Sequence, residues 1–176
     1  MSTVIKFGLS PSEIQRAIDE VAKFKADFEK KVETYRKRVA DEIRKIASLN
    51  FANSIVDDAI IGGFPRKADV KVRVDEQGKV SVVVAYGKDA VWCEFGSGVY
   101  HNGSVGSSPH PKGGELGFTI GSYGKGYGKG KAWGYEDEDG NLVITRGTPA
   151  SMPMYNAAQE VLRKSVEIAR EVFGND

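Results

Sequence analysis

The sequence is poor in the residues that build disulfide frameworks, soft-metal sites and membrane spans. It holds one cysteine, Cys93, and two histidines, His101 and His110, among 176 residues. One cysteine excludes an internal disulfide framework, and these three residues lack the number and paired spacing of a closed zinc site. No apolar run approaches the roughly eighteen residues that indicate a spanning helix. We therefore expect a protein that needs no disulfide, metal, other cofactor or membrane.

An excess of charge of one sign is also lacking. The formal net charge is +1 at pH 7, so no overall field indicates a nucleic-acid or membrane partner. Hydrophobic residues make up 40% of the chain and charged residues 28%, which is typical of globular proteins. The N-terminus has no basic head followed by an apolar stretch, as a secretion signal would. The sequence predicts a single domain over residues 1–176, made in the cytoplasm.

The usual catalytic motifs are missing. The glycine tract at residues 121–131 lacks the spacing of a phosphate loop and does not open a helix. Cys93 stands beside Glu94 and aromatic residues, which favours a buried, protonated thiol over a nucleophile. Four consecutive acids at residues 136–139 fit a solvated turn better than a calcium loop. We expect that the protein is not an enzyme.

A long amphipathic helix is the clearest element of the sequence. Ser10, Pro11 and Glu13 form the pattern of a capping box with proline at the first helical position. Apolar or part-apolar residues then recur at spacings of three and four, with Lys25 filling one position of the stripe, at Ile14, Ile18, Val21, Phe28, Val32, Tyr35, Val39, Ile43 and Ile46. Acid-before-base pairs at i,i+4 support the same helix, namely Asp19–Lys23, Asp27–Lys31, Glu33–Lys37 and Asp41–Lys45. A helix over residues 11–49 would be roughly 58 Å long. Its charged face can be solvated, and the helix can also project onto a neighbouring subunit.

The remaining patterns predict an α+β domain. Alternating residues 68–75 and 79–86 predict a hairpin, and Asp89 is placed to cap a short helix that carries Val91, Trp92 and Phe95. Residues 131–135 and 141–145 predict a second hairpin with an acidic tip. A last helix begins at Pro149 or Pro153 and reaches Phe173, with an apolar stripe of Met154, Ala158, Val161, Leu162, Ile168, Ala169 and Val172. We expect a mainly antiparallel sheet of about four strands with the C-terminal helix packed on it.

Glycine is concentrated in one long segment. Residues 96–140 hold fourteen of the 21 glycines, and a loop of this length inside a domain is usually functional or disordered. Tyrosines alternate with lysines in its centre, as in a single-strand-binding surface, at Tyr123, Lys125, Tyr127, Lys129 and Lys131. The same composition is also explained by a loop that keeps the protein soluble, or by a loop that becomes ordered only when subunits assemble. We expect proteolysis between residues 98 and 131 in the monomer and protection in assembled particles.

Two short motifs flank this loop and resemble a known family. The first is Glu94, Phe95, Gly96, Ser97 and Gly98, and a His110-Pro111 pair follows in the loop. The second begins with Gly147, Pro149 and Ala150 and continues with Pro153, Met154, Tyr155 and Asn156. Together they resemble the tail-completion, or head–tail joining, family of long-tailed bacteriophages. Where that family has Arg-Pro-Phe this chain has Ser151-Met152-Pro153, so any contact of that arginine is in doubt.

The resemblance implies a structural protein of the virion. Such a subunit forms a ring, expected to be a hexamer, at the head-proximal end of the tail, where it contacts the tail tube and the head connector. DNA would pass through the ring without sequence readout. The motif residues and the loop become candidate subunit contacts. Tail completion and tail termination stay open, as does a tail-like particle instead of a phage. Two alternatives from other classes are an α+β adaptor that binds another protein and a nucleic-acid-binding module.

Overall fold

The computed structural model describes residues 8–56, 59–63, 66–97, 108–116 and 132–174. Its elements are α1 (Pro11–Asn53), β1 (Ile55–Val56), β2 (Ala59–Ile61), β3 (Arg66–Lys67), β4 (Lys71–Gln77), β5 (Val80–Tyr86), α2 (Ala90–Phe95), β6 (Trp133–Glu136), β7 (Leu142–Thr145) and α3 (Pro153–Phe173). The predicted α+β class is confirmed. No described helix is long and apolar enough to cross a membrane.

The first helix begins as predicted and ends later. Ser10 is its N-cap, and the Ser10 and Glu13 side chains form both halves of the capping box. The helix continues beyond residue 49 to Asn53, because Phe51 in its last turn is buried in the core. Of the predicted ion pairs along α1, Glu33–Lys37 and Asp41–Lys45 are formed.

The described strands are all paired antiparallel, in three small sheets. β4 pairs with β5, β6 with β7, and β2 lies on the other side of β7. The four predicted strands thus divide between two sheets. The short strands β1, β2 and β3 were not predicted, and β1 pairs with β3 as a separate two-stranded ladder.

The β4–β5 hairpin has one face on the core. Its register pairs Val72 with Ala85 and Val74 with Val83, which places these four side chains on the same face. Val72 and Ala85, with Val70, pack against the buried cluster of Phe51, Val56 and Cys93. Arg36 of α1 reaches Glu76 at the far end of the hairpin, 3.0 Å away. The hairpin therefore lies along the C-terminal half of α1.

The last helix runs antiparallel to α1. The Asn50 amide donates to the Pro153 carbonyl at one end, and the Phe28 and Phe173 rings lie 5.8 Å apart at the other. Buried residues of α3 are Pro153, Ala157 and Val161. Leu162, predicted to share the buried stripe, is 66% exposed, so that prediction was wrong for this residue. Because α3 ends beside Phe28, the first half of α1 extends beyond it.

Candidate functional site

The two motif segments meet at the junction of α2 and α3, which we call the motif joint. We define it as residues 93–97, 108–112 and 147–156, three stretches that are distant in sequence.

A buried carboxylate caps the start of α3. Glu94 is 8% exposed, and its two oxygens accept hydrogen bonds from the backbone N–H groups of Met154 and Tyr155, at 2.8 and 2.9 Å. The first N–H groups of a helix have no partner within the helix, and a negative charge there is favoured by the helix dipole. The residue at the N-cap, Met152, makes no side-chain cap and is in the left-handed conformation with φ 50°. Glu94, a residue of α2, therefore caps the N-terminus of α3, a role that the N-cap residue itself fills in most helices.

His110 joins the loop to this carboxylate. Its Nε2 lies 3.2 Å from Oε1 of Glu94, and its Nδ1 accepts a hydrogen bond from the Lys112 N–H at 3.0 Å. A nitrogen that accepts cannot carry a proton, so the hydrogen is on Nε2 and points at Glu94. The ring also packs between two aromatic rings, tilted against Phe95 at 4.5 Å and edge-on to Tyr155 at 5.3 Å between ring centroids. His110 is 8% exposed and is therefore a buried residue of the joint.

Backbone hydrogen bonds hold the two motifs together beside the carboxylate. The Ser97 N–H donates to the Thr148 carbonyl, and the Thr148 N–H donates to Ser97 Oγ, both at 2.9 Å. Gly96 precedes them with φ 78°, a conformation that glycine adopts at little cost, and lets the chain turn sharply out of α2. The Ser108 hydroxyl adds a bond to the Phe95 carbonyl.

Ser151 occupies the position where the resembled family has arginine. Its N–H and that of Met152 donate to the Cys93 carbonyl, at 2.9 and 3.1 Å. Its hydroxyl lies 2.7 Å from the hydroxyl of Ser54, which follows α1. A small polar residue therefore ties the start of α3 to both α1 and α2 here.

The Cys93 thiol is buried, as predicted. Burial, and next the negative charge of Asp89, raise the pKa of this thiol to about 11. It is therefore protonated near neutral pH, and the thiol is a poor nucleophile.

Asp89 stands at the N-cap of α2, but contrary to the prediction its side chain makes no capping hydrogen bond there. Its buried carboxylate pairs with the Arg66 guanidinium at 2.6 and 2.8 Å and accepts from the Asp69 N–H at 2.8 Å. Burial on its own raises the pKa of Asp89, but these hydrogen bonds outweigh it and hold the pKa below its ordinary value. Asp89 thus ties β3 and the start of the hairpin to α2.

The other predicted site residues are distributed as follows. Gly147 and Pro153 are buried, Pro149 and Ala150 are half-buried in the segment before α3, and Pro111 and Asn156 are exposed. Gly98, His101, Tyr123, Lys125, Tyr127, Lys129 and Lys131 lie outside the described residues. Acids 136–139 flank the turn of the second hairpin, where Asp137 accepts from the Asp139 and Asn141 N–H groups. In the described ranges no cluster of potential metal ligands is found.

Sequence reasoning missed the roles of Thr148, Ser54 and Ser108 in the joint. It also missed that Glu94 is a cap. One signal was available: a carboxylate between Cys93 and Phe95 in a short apolar helix needs a hydrogen-bonding partner once buried. The sequence did not identify that partner, because backbone amides 60 residues away supply it.

A second candidate site is an uncovered apolar surface on α1. We call it the α1 stripe, and it consists of Ile14, Ile18, Val21, Phe24, Phe28 and Val32, which are 40–55% exposed. Every residue from 11 to 30 is exposed except Ala17. An exposed apolar stripe of this length is typical of a surface that binds another protein.

Searches of protein-family models, of curated proteins and of solved structures find no match to this chain.

Proposed function

We propose that this protein is a structural subunit of the bacteriophage neck, which forms a ring at the head-proximal end of the tail and joins the tail to the head. The proposal starts from the two motifs of the sequence. What supports it is that these motifs, 60 residues apart at Glu94 and Met154, combine into one joint through direct hydrogen bonds. Residues that resemble a family's motifs thus act together in this fold, as expected if the resemblance is more than coincidence.

The chemistry of the joint favours a structural role. Both Glu94 oxygens are occupied by backbone amides, and one of them also faces His110. A general acid or base must instead present its proton-bearing atom to a substrate. The Cys93 thiol is protonated and 0% exposed. The joint therefore holds α2 and the start of α3 together.

The α1 stripe supplies the surface that a ring subunit needs. In a ring of identical subunits, each copy contacts its two neighbours through two different surface patches. These patches are exposed to solvent in the monomer. Most of the stripe, from Ile14 to Phe24, lies on the part of α1 that extends beyond α3, and only its Phe28 end contacts the last residue of α3, Phe173. In the proposed ring, it contacts a neighbouring subunit while the joint holds the domain together.

Deletion of the gene in the phage or tail-like particle that encodes it tests this function. The proposal predicts DNA-filled heads and separate tails that fail to join, or tails of irregular length, in electron micrographs. A plasmid copy of the gene should restore joined particles. Normal infectious particles from the deletion strain would contradict the proposal.

An adaptor that binds an unrelated protein is the second candidate, because the same α1 stripe could bind a foreign helix or sheet. The two functions differ in where the protein is found. A neck subunit copurifies with particles through a density gradient, whereas an adaptor remains with the free proteins of the lysate.

A further inference from the structure

One edge of the α1 stripe is mainly acidic. Glu13, Glu20 and Asp27 recur every seven residues along it, with Lys31 in the same row, whereas Glu29 and Lys25 lie at the other edge. Seven residues are close to two helical turns, so residues at this spacing lie in one row along the helix. The basic row, Arg16, Lys23 and Lys30, follows the opposite side of the helix. A partner surface for the stripe should therefore be apolar in its centre and basic along one border.

The outer face of the hairpin has this composition. The register places Val80, Val82, Val84 and Tyr86 on the face opposite the core, and we call these four residues the β5 outer face. Val80 is 56% exposed and Tyr86 43%. On the same face β4 contributes Lys71, Arg73 and Asp75, which leaves this face with a net positive charge. The Arg73 guanidinium pairs with Asp75 at 2.8 Å and lies 5.1 Å from the centre of the Tyr86 ring.

The sequence of β5 is that of a strand covered on both faces. Six of its seven residues, all but Ser81, are apolar or aromatic, a pattern typical of strands buried on two sides. Within the described residues, α1 is the element that packs extensively on this hairpin, and it does so on the inner face. Because α1 is one continuous helix, its own first half cannot also cover the outer face.

The two surfaces are similar in length and opposite in net charge. The α1 stripe spans about 27 Å between Ile14 and Val32 at 1.5 Å per residue. The β5 outer face spans about 20 Å between Val80 and Tyr86 at 3.3 Å per residue. Docking brings an acidic edge of the stripe to Lys71 and Arg73. An antiparallel pair of two α1 stripes would instead set acidic edges against each other.

We infer that the α1 stripe of one copy packs on the β5 outer face of the next copy, head to tail. This inference rests on the proposed function in one respect: it names the contact through which the ring is built. Each subunit donates its stripe to one neighbour and accepts a stripe from the other. Such a heterologous contact forms a ring where the rotation between copies closes, and a filament where it does not.

Disulfide trapping between two variants, each with one introduced cysteine, tests the contact. Val21→Cys lies in the α1 stripe and Val84→Cys in the β5 outer face, and the native Cys93 is buried. The variants are purified separately, mixed at high concentration, oxidised and analysed by non-reducing gel and mass spectrometry. The expected product is a mixed dimer, several-fold more abundant than any homodimer of either variant.

Leu162→Cys provides the matched control, since Leu162 is an exposed apolar residue of α3 outside both surfaces. Mixed with either variant, it should give only background cross-linking. A mixed Val21–Val84 product at this background level overturns the inference. A predominant Val21–Val21 dimer also overturns it, because it indicates a two-fold pair of α1 helices.

The two proposals can fail separately. A specific mixed dimer together with normal particles after gene deletion would leave the contact standing and remove the neck function. Background cross-linking together with unjoined heads and tails after deletion would remove the proposed contact and leave the neck function standing.

Discussion

Glu94 shows how one side chain can fix the relation between two helices. Its carboxylate belongs to α2 but accepts hydrogen bonds from backbone amides of α3. It also lies next to the imidazole of His110, which connects part of the long loop to the two helices. The charge at the helix N-terminus and the hydrogen bonds act in the same direction. Because the carboxylate is buried, its removal leaves backbone N–H groups of α3 without an acceptor. The resulting loss in the free energy of unfolding is larger than that from losing a surface hydrogen bond.

We predict that Glu94→Ala lowers the free energy of unfolding by about 2–4 kcal/mol, because backbone amides and His110 lose a charged acceptor. Glu94→Gln keeps one acceptor oxygen and should cost less than Glu94→Ala. Equilibrium urea unfolding measures both. Glu160→Ala is the control, since Glu160 pairs with Lys164 on the exposed face of α3. It should change stability by under about 0.5 kcal/mol, and an equal effect of Glu94→Ala would refute the capping role.

Asp89 makes a pH-dependent contribution to stability. Burial opposes its charge, but the bonds from Arg66 and Asp69 keep its pKa below the ordinary value in the folded protein. The folded-state pKa is thus below the unfolded one, about 3.9 for aspartate. The resulting stabilisation is present above the unfolded pKa and is lost as the pH falls through the folded pKa.

Asp89→Asn should therefore reduce stability at neutral pH by about 1–3 kcal/mol and flatten its decline in acid. The measurement is the free energy of unfolding of wild type and variant between about pH 7 and pH 2. Asp89→Asn should have a smaller effect in an Arg66→Gln background, because the ion pair is already absent. Parallel curves for wild type and Asp89→Asn would show that the pair contributes no pH dependence.

At the scale of elements, the sequence predicted the features that depend on neighbouring residues and missed those that depend on residues far away in the chain. The start of α1 follows from Ser10, Pro11 and Glu13, which act within one turn, and the structure confirms it. The end of α1 depends on Phe51 reaching a core whose other members come from β1 and α2, so the sequence placed it too early. The strands β1 to β3 have only two or three residues each and are defined by their partners. The motif joint was likewise visible as two motifs but not as one site.

The two halves of α1 should respond differently to the same substitution. Phe51 is buried, and Phe51→Ala should cost about 3–5 kcal/mol. Phe24 is 54% exposed, and Phe24→Ala should cost under about 1 kcal/mol in the monomer. Urea unfolding at low protein concentration measures both values. A large cost for Phe24→Ala would mean that the α1 stripe is already covered within one chain.

Across the whole molecule, the contacts that hold the fold together and the surfaces that remain open to a partner lie in different places. The motif joint, the hairpin and the antiparallel α1–α3 pair hold the fold together. The α1 stripe is exposed, and the β5 outer face is exposed at Val80 and Tyr86 and half-buried at Val82 and Val84. Two different open surfaces on one chain are what a head-to-tail assembly requires.

Cryo-electron microscopy of purified particles tests the structural role most directly. The account predicts a closed ring of copies of this chain at the head-proximal end of the tail, with each α1 lying across the hairpin of its neighbour. Particles that are fully joined yet contain no copy of the chain would contradict it.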